Sequence, residues 1–348
     1  MAQKEHIREL DLARVLSMLA VIMIHVSAPY IHKSSDFALL GMNLGWMLNQ
    51  VTRFAVPLFV LLSGTSLGFS ASTRSLGTFY KKRAVKIGLP YVVWFAIYFW
   101  YDYLHSPTPM DLSPSRILRA FLQGQGAPHL YFIIVVAQCY LFYPLLKKAV
   151  DRWATASVGV ALAVTAAVQV LFALRREGVA DLIPGWISPY LWLLFPTWAF
   201  FFVLGMALTA DRLHGLRRFT AAHPWPLVAL GLAAMALYVL TAHWNNAMDS
   251  MKLTLDLYVP VMLVFAFALW QLIGRFHPVS AVVAFLSKHA MTVYFCHVLV
   301  LYQFRDLWHF TRSMTGMLEL YAVTTLLSVA AAWVLDSLGN LLNRRPRR

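Results

Sequence analysis

The sequence predicts an all-α membrane protein, a polytopic helical bundle of about ten transmembrane helices with both termini on the cytosolic side. Three observations carry that expectation. The 348-residue chain is 60% hydrophobic and only 13% charged, and its mean hydropathy is +0.63, more apolar surface than a soluble domain of that size can bury. Predominantly apolar runs near the length needed to cross about 30 Å of hydrocarbon recur along the chain. Finally, the lysines and arginines fall into alternate connecting segments, as loops retained in the cytosol require.

Taken in order, the apolar runs are Leu12 to Ile31, Leu44 to Phe69, Ile87 to Trp100, Leu130 to Leu146 and Ala154 to Leu174, then Ser188 to Leu208, Trp225 to Ala242, Leu257 to Ile273, Ala290 to Tyr302 and Leu318 to Leu335. The ninth is short and is expected to extend at both ends, with Pro278 to Leu286 lying along the interface as a short helix of its own. Pro57, Pro90, Pro144, Pro196 and Pro260 fall within runs. Each removes a backbone donor, so bent helices around a hollow interior are expected. Tryptophan and tyrosine, 12 and 15 in number, suit interfacial belts.

With the N-terminus inside, the basic residues of the even connections and both tails are cytosolic. These are Lys4, Arg8 and Arg14, Arg74 and the cluster Lys81, Lys82, Arg83 and Lys86, Lys147, Lys148 and Arg152, Arg212, Arg217 and Arg218, Arg275 and Lys288, and Arg344, Arg345, Arg347 and Arg348. Outside remain Lys33, Arg116, Arg119, Arg175, Arg176, Lys252, Arg305 and Arg312, with Arg53 at a boundary. The net charge of +14 is therefore a topology signal distributed in stripes, not the basic face of a nucleic-acid-binding domain. Val26-Ser27-Ala28 weakly matches a signal cleavage site, but the run is too long for a signal peptide and Pro29 follows it, so the first span is read as retained. Cys139 and Cys296 both lie within runs, and their spacing offers neither a disulfide framework nor a metal site. Without linkers or repeats, residues 1–348 are expected to form a single membrane domain.

The first run, "DLARVLSMLAVIMIHVSAPYI", keeps two ionisable side chains, Arg14 and His25. Eleven helical positions turn by about 1,100° and rise roughly 16 Å, so both share a face with Asp11, Met18 and Ile22. An ionisable group in hydrocarbon costs about 2.5–3.5 kcal/mol and is tolerated where it meets a partner or lines a cavity, so this face should point into the protein. Spacing alone equally suits a snorkelling anchor at Arg14 and a hydrogen-bonded core imidazole at His25.

"LDLARVLSMLAVIMIH" resembles the Arg-x10-His signature of the acyltransferase 3 family of integral membrane enzymes. Further blocks follow in the family order: "RFAVPLFVLLSG" from Arg53, "FYKKRAVKIGLPYVVW" from Phe79, "HLYFIIVVAQCYLFYPLL" from His129, "FFVLGMAL" from Phe201 and "LSKHAMTVYFCH" from Leu286. The likeness covers nearly the whole chain and is nearest to the short branch without a fused extracytoplasmic domain, which includes the enterobacterial common antigen O-acetyltransferase. Two positions depart from the family pattern, His289 where Ser or Thr is commoner and Tyr131 where Trp is usual.

The resemblance implies a membrane O-acyltransferase of the bacterial inner membrane that moves an acetyl or other short acyl group from cytosolic acyl-CoA to a cell-surface or lipid-linked carbohydrate. Acetyl-CoA is the expected co-substrate, and no metal is expected. An imidazole with an ordinary pKa of about 6.5 suits the base that takes the hydroxyl proton, which makes His25 the catalytic candidate, as base or as transient acyl carrier. Arg14 presents a planar fork suited to phosphate or carbonyl oxygens and is assigned, with Lys82 and Arg83, to the acyl-CoA. Arg53, His129, Tyr294 and His297 are candidates for the acceptor. A transporter or flippase of a polysaccharide intermediate is the rival reading, because intramembrane charges and Pro-broken helices also mark transport paths. No pair of inverted halves accompanies them here. A sensory membrane module is the third reading.

Overall fold

The computed structural model describes residues 6–31, 38–39, 42–69, 75–179, 182–244, 252–307 and 313–342. Of the cations used above for orientation, Lys4, Lys33, Arg74, Arg312 and the four arginines from Arg344 onward lie outside the described residues. Thirteen α-helices are found among the described residues: α1 (Arg8–Ser27), α2 (Leu44–Val51), α3 (Ala55–Gly68), α4 (Leu76–Arg83), α5 (Leu89–His105), α6 (Pro114–Gln123), α7 (Tyr131–Arg176), α8 (Phe195–Ala207), α9 (Ala210–Ala222), α10 (Pro224–Trp244), α11 (Leu253–Ile273), α12 (His277–Leu307) and α13 (Met314–Leu342). The described strands are two residues each, β1 (Ala38–Leu39) antiparallel to β2 (Met42–Asn43). The all-α expectation holds.

Nine helices among the described residues, some joined across short turns, are long and apolar enough to cross a membrane. Two of the ten apolar runs, the fourth and fifth, lie within the single helix α7. That helix has 46 residues, which would reach about 69 Å if straight, more than twice the hydrocarbon thickness. At Trp153 the backbone leaves the helical region (φ −140°, ψ 60°). Gln138 donates to the Leu193 carbonyl at 2.8 Å and accepts from the Phe195 amide at 3.0 Å. Thr165 donates to the Pro196 carbonyl at 2.8 Å and accepts from the Phe200 amide at 3.1 Å. On a straight helix those two residues would lie roughly 40 Å apart, yet both meet the start of α8, so α7 doubles back at Trp153. Its arms are the fourth and fifth apolar runs.

Two sequence expectations are corrected. Pro278 to Leu286 does not form a separate interfacial helix, because α12 runs unbroken from His277 to Leu307. Pro278 sits in its first turn, where a missing N–H costs nothing, and the polar Ser287 and His289 that follow find partners on other helices. Nor do all the prolines fall in helix interiors: Pro196 stands in the first turn of α8. Pro57 and Pro90 lie within longer spans, Pro90 directly after a π-helical turn at Ala84–Gly88, and Pro144 and Pro260 lie inside α7 and α11. The second run is also interrupted, by a 3-10 turn at Thr52–Phe54. There the Thr52 hydroxyl bonds back to the Leu48 carbonyl at 2.7 Å, and Pro57 supplies no amide to the turn before it.

The chain divides into two compact units whose segments interleave in sequence. The first comprises Met1–Leu58, Gly215–Met248 and Tyr258–Arg348; the second comprises Phe59–His214 and Asp249–Leu257. In the first, Leu12 and Val15 of α1 pack with Trp270 and Val283. Buried Glu9 is held by Arg217 through two bonds of 2.8 and 3.0 Å and by Gln271 at 3.1 Å. In the second, α3 and α8 cross with their backbones in contact. A Cβ on Gly64 would fall 2.1 Å from the Phe202 carbonyl oxygen, and one on Gly205 would fall 2.0 Å from that of Leu61. Small residues at such a crossing take the place of the hydrophobic drive that lipid removes.

Candidate active site

The N-terminal end of α1 is polar because its first turn carries Glu9 and Asp11, acids that the positive end of the helix dipole favours. Asp11, 6% exposed, shares a closed triangle with two other side chains. Arg14 Nη1 donates to Asp11 Oδ1 at 2.9 Å and to Ser287 Oγ at 2.7 Å, and Ser287 Oγ donates to Asp11 Oδ1 at 2.8 Å. His6 closes on the other carboxylate oxygen. All the described bonds of Arg14 use Nη1, and its side chain is 32% exposed. Next to this triangle lies a hollow of about 280 Å³ that touches Asp11 and is bordered by His6, Arg8, Trp270, His277 and Ser280.

At the other end of the same face, the His25 ring lies 5.3 Å from that of His297, tilted by 47°. Arg14 thus meets Ser287, and His25 meets His297. The intervals are eleven residues on α1 and ten on α12, so the two helices run parallel for about three turns, roughly 15–16 Å. His297 Nδ1 lies 2.8 Å from the Tyr294 carbonyl and 3.2 Å from that of Val293. Carbonyls only accept, so the proton sits on Nδ1, and in the neutral ring Nε2 is the basic atom. The Tyr294 ring lies 6.1 Å from that of His297.

Arg53 is within electrostatic reach of His25. Its Nε and Nη2 both donate to Asn49 Oδ1, at 3.1 and 2.6 Å. The Asn49 amide nitrogen in turn donates to the Ile24 carbonyl at 3.0 Å and to Ser27 Oγ at 3.1 Å. Buried Asn49 therefore fixes the guanidinium relative to the turn of α1 that carries His25. A paired imidazole with a guanidinium beside it offers a proton acceptor and a stabiliser of developing negative charge.

Arg14, His25, Arg53, Tyr294 and His297 all lie in the first unit, while Lys82, Arg83 and His129 lie in the second. Lys82 is exposed at the end of α4. The Arg83 guanidinium rests over the rings of Phe79 and Tyr140, at 5.4 and 5.1 Å. His129 is buried, with its ring edge-on to Tyr98 at 5.3 Å.

Sequence reasoning assigned no role to Asp11, Ser287 or Asn49. Each carried a helical signal: Asp11 lies three residues before Arg14 and Asn49 four before Arg53, while Ser287 precedes His297 by nearly the Arg14-to-His25 interval. The departure at His289 also has a structural use. This buried ring bonds Asp336 of α13, whose second oxygen accepts from Thr292 Oγ1 at 2.7 Å, clasping α12 to α13.

Comparison with known proteins adds the following. A family model described as an acyltransferase domain, that of acyltransferase 3, matches residues 7–336. No curated protein matches the chain, and no solved structure does.

Proposed function

The chain belongs to the acyltransferase 3 family and is an integral membrane protein; from that premise we propose that it moves an acetyl or other short acyl group from cytosolic acyl-CoA to a hydroxyl of a cell-surface or lipid-linked carbohydrate. The observation that carries the proposal is the shared face of α1 and α12, with the Arg14 triangle at one end and the His25–His297 pair at the other. Arg14, through Nε and Nη2, binds the donor. His25 takes the proton of the acceptor hydroxyl, whose oxygen attacks the thioester carbonyl. The C–S bond then breaks, and the imidazolium returns its proton to the departing thiolate. In the variant chemistry His25 attacks first and holds the acyl group as an acyl-imidazole until the sugar arrives.

Arg53 is assigned as the stabiliser for the carbonyl oxygen as it becomes anionic, or as a ligand for the acceptor, and Tyr294 and His297 are assigned to acceptor hydroxyls. Lys82 and Arg83 for the coenzyme phosphates and His129 for the acceptor are assignments that rest on the family pattern. The proposed setting is the bacterial inner membrane, with both termini in the cytosol. The test is to incubate purified protein in liposomes with radiolabelled acetyl-CoA, first alone and then with lipid-linked saccharide. Label on the saccharide that disappears in His25→Ala supports the proposal. Label on the wild-type protein before any acceptor is added selects the acyl-imidazole route. Wild-type transfer by His25→Ala would remove the residue from the mechanism.

A further inference from the structure

Where α7 doubles back, its two arms and α8 enclose a hollow of about 350 Å³, bordered among others by Trp153, Ala156, Val160, Ala161, Ala199 and Val203. That volume is within the range of small-molecule sites, about 300–1,000 Å³. Among the bordering residues the polar side chain is Ser157, and a trapped water needs two to four polar partners. The hollow therefore suits hydrocarbon. It opens outward, because Val160 is 65% and Trp153 59% exposed.

Its end at the turn is cationic. The Arg152 guanidinium lies 4.7 Å over the Trp153 ring, so the same indole that borders the hollow holds a positive charge at its rim. Exposed Lys148 directly precedes Ala149, another bordering residue, whereas Lys147 is engaged by Asp151. An apolar slot with cations at one end is complementary to a single-chain segment of a lipid whose headgroup is negative. We infer that this hollow holds one acyl chain of an anionic membrane phospholipid, with its phosphate at Arg152 and Lys148.

The test is native mass spectrometry of delipidated full-length protein titrated with phosphatidylglycerol or with phosphatidylcholine of identical chains. Wild-type protein should keep one phosphatidylglycerol more tightly than one phosphatidylcholine, by about fivefold per contributing cation. Arg152→Gln should lower that preference about fivefold, weakening phosphatidylcholine less because its choline ammonium already offsets the shared phosphate, while Ala161→Phe, which fills the slot, should remove both. Val160→Trp, at a position already open to lipid, repeats the filling test should Ala161→Phe prove misfolded. Full retention of phosphatidylglycerol in the filled variants, or an unchanged preference in Arg152→Gln, overturns the inference. So does conversion of dimers to monomers by Ala161→Phe at constant lipid occupancy, since a second copy would then be the occupant.

Discussion

Arg14→Ala separates the donor-binding role proposed for this residue from its structural one. The substitution deletes Nη1 and with it the bonds to Asp11 at 2.9 Å and Ser287 at 2.7 Å. Asp11 nonetheless keeps the Ser287 hydroxyl and His6, and Arg14 is 32% exposed. The stability loss should therefore stay near about 1–2 kcal/mol, below the roughly 3–5 kcal/mol of a stranded buried charge. The donor loses a charge-assisted contact at Nε and Nη2. At about 1.5–3 kcal/mol, this raises the apparent KM for acetyl-CoA roughly 10- to 150-fold. Ser287→Ala keeps the guanidinium but removes one of its two anchors, and should raise the same KM about fivefold, for a loss of about 1 kcal/mol. Initial rates of label transfer in proteoliposomes, with each substrate varied in turn, measure both effects, and a thermal melt of each variant measures folding. An unchanged donor KM in Arg14→Ala, or a rise confined to the saccharide, would refute the assignment.

Other outcomes follow from the same geometry. His25→Ala should lower turnover by about 10²–10⁴-fold, the usual worth of a positioned general base, with an unchanged melting curve; a stability loss that tracks the rate loss would make the residue structural. Arg217→Leu leaves Glu9 buried with Gln271 as its remaining partner and should cost about 3–5 kcal/mol, read by thermal melting. Adding Glu9→Leu to it should recover part of that loss, and a double variant no more stable than the single one would count against a charge penalty. Gly205→Leu places side-chain atoms where the Leu61 carbonyl now lies, so the yield of monodisperse protein should collapse; normal yield would deny the close α3–α8 crossing.

Much of the fold was legible because lipid imposes a simple demand, about 20 apolar residues per crossing, and the runs meet it or, where short, are extended by flanking residues of the same helix. What misled was the local reading of breaks. Pro278 looked like a boundary between two elements, but a proline in a first turn begins a helix as readily as it ends one. The return of α7 at Trp153 left the Lys147-to-Arg152 charge cluster as its mark, and the interruption at Thr52–Phe54 left the polar stretch Asn49, Gln50, Thr52 and Arg53 inside an otherwise apolar run. The shared face of Arg14 and His25 followed from helical geometry, and the partners at short range were within its reach. The contacts with Ser287 and His297 were not, because they lie on a helix more than 260 residues downstream, and no periodicity within α1 identifies its neighbour.

That distance along the chain has a consequence for biogenesis. Glu9, Asp11 and Arg14 are made well before their distant partners: Gln271 lies on α11, and Ser287 and His297 lie on α12, the last but one of the described helices. At about 5–20 residues per second, α1 waits on the order of 10–50 s in or beside the translocon with only its local Asp11–Arg14 and Asp11–His6 pairs formed. A nascent chain arrested before Ser287 would present an inserted but incomplete protein, recognisable to membrane quality control by that exposed polar edge. The candidate site is in this sense a late product of synthesis, closed only when α12 slides in alongside α1.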